Sequence, residues 1–145
     1  MRVCDLLLVP RQEVLALAER LSAGREVEHL VVPTAGSWLL QMREGVRGDR
    51  WYIGEIPAAQ AAVRLYDRQL GSCRGAAVIM RADAELAVAA AILDAVARAS
   101  WPGCDEIAAL AARGSAERLR AEGQRAAIRA ATRVSFSELG TEQDA

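Results

Sequence analysis

Apolar positions change period twice along the chain. Between Pro10 and Gly24, the residues Val14, Leu15, Leu17, Ala18 and Leu21 recur at helical spacing, which predicts a first helix over 11–23. From Val27 the pattern shortens. Val27 to Val32 is rich in β-branched residues and closed by Pro33, and Trp38, Leu40 and Met42 then alternate with Leu39, Gln41 and Arg43. Further short runs follow at Arg50 to Ile53, Ala61 to Tyr66 and Ala76 to Met80. Five short strands separated by Gly, Pro and Asp predict an antiparallel meander, because no connection has room for a crossover helix. After Arg81 the period lengthens again. Leu86, Ala89, Ala90, Leu93, Val96 and Ala97 form one stripe, with Asp83 and Glu85 at its start and Arg98 at its end, and its alanines suit close packing on a sheet. Trp101-Pro102-Gly103 forces a turn. A further helix from Asp105 to Ala112 is expected, with Gly114-Ser115 restarting an Ala/Arg-rich segment to about Ala131.

These elements predict an α+β fold: a single domain with an antiparallel β-sheet of about five short strands and helices packed on one side. The 145 residues fit one domain over 1–145, with a core of about 12–136 and a flexible tail over 137–145. At that length folding removes roughly 70% of the unfolded chain's surface from water, so no disulfide or structural metal is required.

Composition narrows the chemistry. All 18 basic residues are arginine, and neither lysine nor asparagine occurs, which excludes Schiff-base, P-loop-lysine and Ser-Lys mechanisms. The formal net charge of −1 gives no electrostatic excess for nucleic acid or anionic membranes. Cys4, Cys73 and Cys104 have neither disulfide-framework nor metal-ligand spacing, so the expectation is a reducing cytoplasm and no cofactor held by this chain. No stretch has the ~20 apolar residues of a membrane span, and the N-terminus is not read as an export signal. His29, the sole histidine, reads as a solvent-facing strand residue, and Cys104 as a half-buried structural thiol at a helix start. A mean hydropathy of +0.09 is high for a soluble monomer of this size. The expectation is an interface built from Trp38, Leu40, Trp51, Tyr52 and Trp101.

Two polar regions stand out. The segment from Arg113 to Arg133 carries six arginines against Glu117 and Glu122, and reads either as a solvated helix face or as a surface awaiting acidic groups. The densest cluster is Arg43-Glu44-Gly45-Val46-Arg47-Gly48-Asp49-Arg50, followed by Trp51-Tyr52-Ile53-Gly54-Glu55. It is compatible with a plain hairpin turn, and equally with a loop whose arginine forks meet phosphate or carboxylate oxygens.

The stretch Arg43 to Glu55 resembles the R-E-x-V-R-G-x-x-F-x-L-G-E segment of the PhnG subunit family of the carbon–phosphorus lyase system. Val63-Arg64-Leu65 resembles that family's next strand, Ala87 to Ala95 its A-x-x-A-A-x-x-D-A helix, and Ala131-Thr132-Arg133-Val134-Ser135-Phe136 its late A-T-R-V-x-F segment. Ala59-Gln60 and Met80-Arg81-Ala82-Asp83 depart from the family pattern, and extra residues lie between Leu65 and Gly75. The resemblance implies an auxiliary, noncatalytic subunit of a cytoplasmic hetero-oligomer with PhnH, PhnI and PhnJ. That complex supports transfer of the ribose triphosphate of ATP to an alkylphosphonate with loss of adenine, with ATP and Mg expected at the level of the complex. It also implies that Arg43, Glu44, Arg47, Gly48, Gly54, Glu55 and Arg133 are binding or interface residues, none of them catalytic. A freestanding small-ligand or nucleotide-binding module and a homo-oligomeric scaffold are the alternatives.

Overall fold

The computed structural model describes residues 3–132, so the expectations for Arg133, for the Val134-Ser135-Phe136 segment and for the tail over 137–145 lie outside the described residues. A short 3-10 helix, Val3–Leu8, leads into α1 (Arg11–Ser22), then β1 (Glu26–Arg43), β2 (Arg50–Asp67), β3 (Gly71–Ile79), α2 (Ala84–Arg98) and α3 (Cys104–Ala131). The three strands form one antiparallel sheet in the order β1-β2-β3.

The α+β class and the antiparallel meander hold, but the sheet has three strands, two of them 18 residues long, where the sequence suggests about five short ones. The runs at Val27 to Val32 and Trp38 to Met42 belong to one strand, β1, and those at Arg50 to Ile53 and Ala61 to Tyr66 to another, β2. Pro33 fails to end β1 because it sits on an edge strand, inside the register shift between Val31 and Thr34. A missing N–H there breaks no central ladder.

Buried positions alternate along Ala61, Val63 and Leu65 of β2 and along Cys73, Ala77 and Ile79 of β3, giving the sheet one core face. Helix α2 lies on it. Ten of its fifteen residues are buried because the sheet covers one side and α1, α3 and the 3-10 helix the other. The approach is closest at Gly75, where a Cβ would stand 2.2 Å from the Ala91 carbonyl oxygen. Asp94 stitches the same seam. It accepts from the Ala76 N–H of β3 at 3.2 Å and from Arg98 Nε at 3.0 Å, so its burial leaves no oxygen orphaned.

Gly114 does not interrupt the last helix. It is a buried residue of α3, placed where the backbone of Asp5 crosses so near that a Cβ would meet the Asp5 carbonyl oxygen at 1.7 Å. Trp101, expected at an interface, is buried, with the Arg25 guanidinium 5.2 Å from its ring centroid. Arg25 also bonds Asp67 at 3.2 Å, so it joins the end of α1 to the end of β2. His29 is exposed on β1, and Cys104 is half-buried at the first position of α3, as the sequence suggests.

Several carboxylates are held below their ordinary range. The Arg113 side chain does this to Glu13, Arg20 to Glu106 and Arg11 to Asp83, while Asp67 is held chiefly by the N–H groups of Gln69 and Leu70. A carboxyl depressed in the folded state contributes stability above its unfolded value and loses it as pH falls through the folded one. Thermal unfolding is therefore expected to show a flat Tm near neutrality and a fall below about pH 4, the unfolded range of Asp and Glu. Asp83 also caps α2, accepting from the Leu86 N–H at 3.0 Å, and Asn caps about as well as Asp. Asp83→Asn should accordingly flatten the acid limb and leave the cap in place.

Candidate functional site

The two long strands outrun the third. β3 ends at Ile79 opposite Ala59, so from Gly36↔Ala58 to Arg43↔Arg50 the register continues as a two-stranded arm. Eight residues from Gly36 to Arg43 make it about 27 Å long. Among the described residues no buried side chain falls between residues 22 and 57, so the arm stands in solvent and lends nothing to the core.

Its tip is built by local bonds. The Glu44 N–H donates to the Asp49 carbonyl at 2.9 Å and the Gly48 N–H to the Glu44 carbonyl at 3.1 Å. Gly48 takes φ +75°, a conformation that glycine adopts without strain. The Glu44 carboxylate accepts from the Arg47 N–H at 3.3 Å. Glu44 and Gly48, singled out from the sequence as binding residues, thus have structural work in the turn. So does Gly54. Leu40 pairs with Gly54 but Gln41 with Tyr52, which leaves Ile53 as the extra residue of a bulge and puts Gly54 at φ +151°.

Arg43 and Arg50 face each other directly across the two strands, and Arg47 projects from the turn between them. Among the described residues none of the three is in an ion pair, and Glu55, opposite Leu39, is likewise exposed. The arm brings Arg43, Glu44, Arg47, Gly48, Gly54 and Glu55 onto one projection, but it does not fold them into a pocket. The grooves lie elsewhere. One of about 550 Å³ runs between α1 and α3, lined by Ala16, Leu17, Ala109 and Leu110 and bridged by the Arg20–Glu106 and Arg113–Glu13 pairs at 2.5 and 2.6 Å. Among the described residues no three His, Cys, Asp or Glu side chains converge as a metal site would require.

What sequence reasoning only half found is the arm's apolar content. Trp38, Leu40, Trp51 and Tyr52 are exposed as expected, but Leu39, Met42 and Ile53 are too, at 57%, 44% and 51%. The alternation of Trp38, Leu40 and Met42 was a usable signal; what it could not show is that no third strand or helix among the described residues covers either face. The arginine-rich segment of α3 splits. Arg113, Arg118 and Arg120 pair with Glu13, with Asp5 and Glu122, and with Glu117, which is the solvated-face reading, while beyond Ala121 the helix is exposed all round.

The family described as phosphonate metabolism protein PhnG matches residues 2–140. The chain belongs to the PhnG family. That match includes the whole arm, the sheet and helices α1, α2 and α3, so in this PhnG-family chain the arm is part of the family domain and no appendage to it. A comparison with curated proteins finds no match. Among the described residues no helix of the PhnG-family chain is long and apolar enough to cross a membrane.

Proposed function

We propose that this chain is an auxiliary subunit of the carbon–phosphorus lyase core complex, assembling with PhnH, PhnI and PhnJ in the cytoplasm. There it supports transfer of the ribose triphosphate of ATP to an alkylphosphonate: a phosphonate oxygen bonds to C1′ of the ribose as the bond to adenine breaks. The observation that carries the reading is the solvent-exposed arm, which a freestanding domain would have no physical reason to keep. Exposed apolar surface beyond a few hundred Å² marks an interface. ATP and Mg belong in this reading to the complex, since the arm's arginines are spread along a convex projection and line no cavity. The exposed guanidinium groups of Arg43 and Arg47 and the Glu55 carboxylate then meet a partner or a phosphate held mainly by it.

Co-expression with the other core subunits tests the reading. The chain is expected to co-purify with them in fixed stoichiometry and to be less soluble alone; a well-behaved monomer that binds ATP unaided and ignores those subunits would overturn it. Within that complex Arg47→Ala should leave the melting of the isolated chain within about 0.5 kcal/mol of the parent, as for an ordinary surface site. Assembly or coupled activity should weaken by roughly 2–5 kcal/mol where the charge is desolvated. A variant that melts low yet assembles normally would make Arg47 a turn residue only.

A further inference from the structure

Apolar side chains project from both faces of the arm, and that decides how it can be covered. The register puts Trp38, Leu40, Met42 and Trp51 on one face and Leu39 and Tyr52 on the other, with Ile53 at the bulge. Each of the seven is between 36% and 58% exposed. Given the full areas of such side chains, these fractions come to roughly 700 Å², whereas a stable complex takes about 800 Å² from each partner. A flat surface laid on either face reaches only about half of that apolar area, and so does the arm of a second copy packed face to face. A partner that closes on both faces takes it all, and the strand edges and the turn supply the remainder.

Charge describes the far end. Arg43 and Arg50 are directly opposite each other, an arrangement that like charges disfavour unless an anion lies between them. Arg47 follows within the turn.

We infer that the arm is inserted into a slot of a heterologous partner subunit, between two apolar walls, with carboxylate side chains at the slot's end to meet Arg43 and Arg50. The inference rests on the core-complex reading and adds to it the shape and chemistry of the receiving surface.

Three variants of the full chain test it in co-expression with the other core subunits: Trp38→Ser with Leu40→Ser, Leu39→Ser with Tyr52→Ser, and Arg43→Glu with Arg50→Glu. None touches a buried residue, so each is expected to keep the parental Tm alone. Each should weaken association at least tenfold, and raised salt should weaken the parent's association more than that of the charge-reversed variant. If only one face matters, the arm lies flat and the inference fails. A parental homodimer dispersed by the same variants would replace the slot with self-pairing. A parent complex that all three variants join at parental affinity overturns the slot while leaving the subunit reading intact; a parent that joins no complex overturns both.

Discussion

Gly75→Ala is expected to destabilise the isolated chain by about 3 kcal/mol, the upper end of what overpacking a filled core costs. The added methyl would stand 2.2 Å from the Ala91 carbonyl oxygen, 2.3 Å from the Ala95 nitrogen and 2.9 Å from the Ala95 Cα. All three are backbone atoms of α2, so no rotamer change relieves the clash; sheet and helix must part. Parting them also disturbs Asp94, whose carboxylate takes the N–H of the neighbouring Ala76. For a chain of this length the loss corresponds to a fall in Tm of roughly 10 °C. Gly36→Ala is the control, since a Cβ there meets nothing within 4 Å, and it should stay within about 0.5 kcal/mol of the parent. Urea denaturation of the two variants beside the parent checks both numbers. Equal midpoints would mean that α2 and β3 part at Gly75 without cost.

Excising the arm should separate assembly from folding completely. Replacing Ser37 to Pro57 by an Asn-Gly turn joins Gly36 to Ala58, residues that already face each other in the register, and a two-residue turn of that type matches the twist of a hairpin. Every buried side chain among the described residues lies outside the excised segment. The shortened chain is therefore expected to keep the parental far-UV circular dichroism per residue in its helices and a Tm within a few degrees. Its association with the other core subunits should fall by a hundredfold or more, because the apolar area and the three tip arginines leave together. Size-exclusion chromatography of the co-expressed subunits reads the result. Normal assembly of the shortened chain would move the interface to another surface, the exposed second half of α3 being the next to examine.

Local signals made the helices legible. The stripe from Leu86 to Val96, opened by Asp83 and closed by Arg98, sits where its period puts it, and α1 ends one residue short of the expected boundary. A helix satisfies its own backbone, so pattern and caps define it with little help. Strand boundaries and breakers were less legible for the opposite reason. Pro33 reads as a stop, yet it costs nothing on an edge strand; Gly114 reads as a break, yet it is the residue that lets the Asp5 backbone cross α3. In both cases the meaning of the residue depends on a neighbour far away in the chain.

The same division holds for the candidate site. Which residues share it was present in the sequence, because Arg43, Arg47, Gly48, Gly54 and Glu55 are close together along it and a hairpin keeps them so. By itself the sequence also determined the α+β class, the antiparallel connections, the chemistries that the absence of lysine excludes and the family motif in the arm. Only the tertiary structure decided that Trp101 is core and Trp38 and Trp51 are not, since exposure is a property of what packs against a side chain. It decided, too, that the turn is the tip of an arm. β3 spans nine residues beside strands of eighteen, and the unmatched length of β1 and β2 has nothing among the described residues to lie against. A mismatch of lengths between elements that meet only on folding leaves no mark in the period of any one of them.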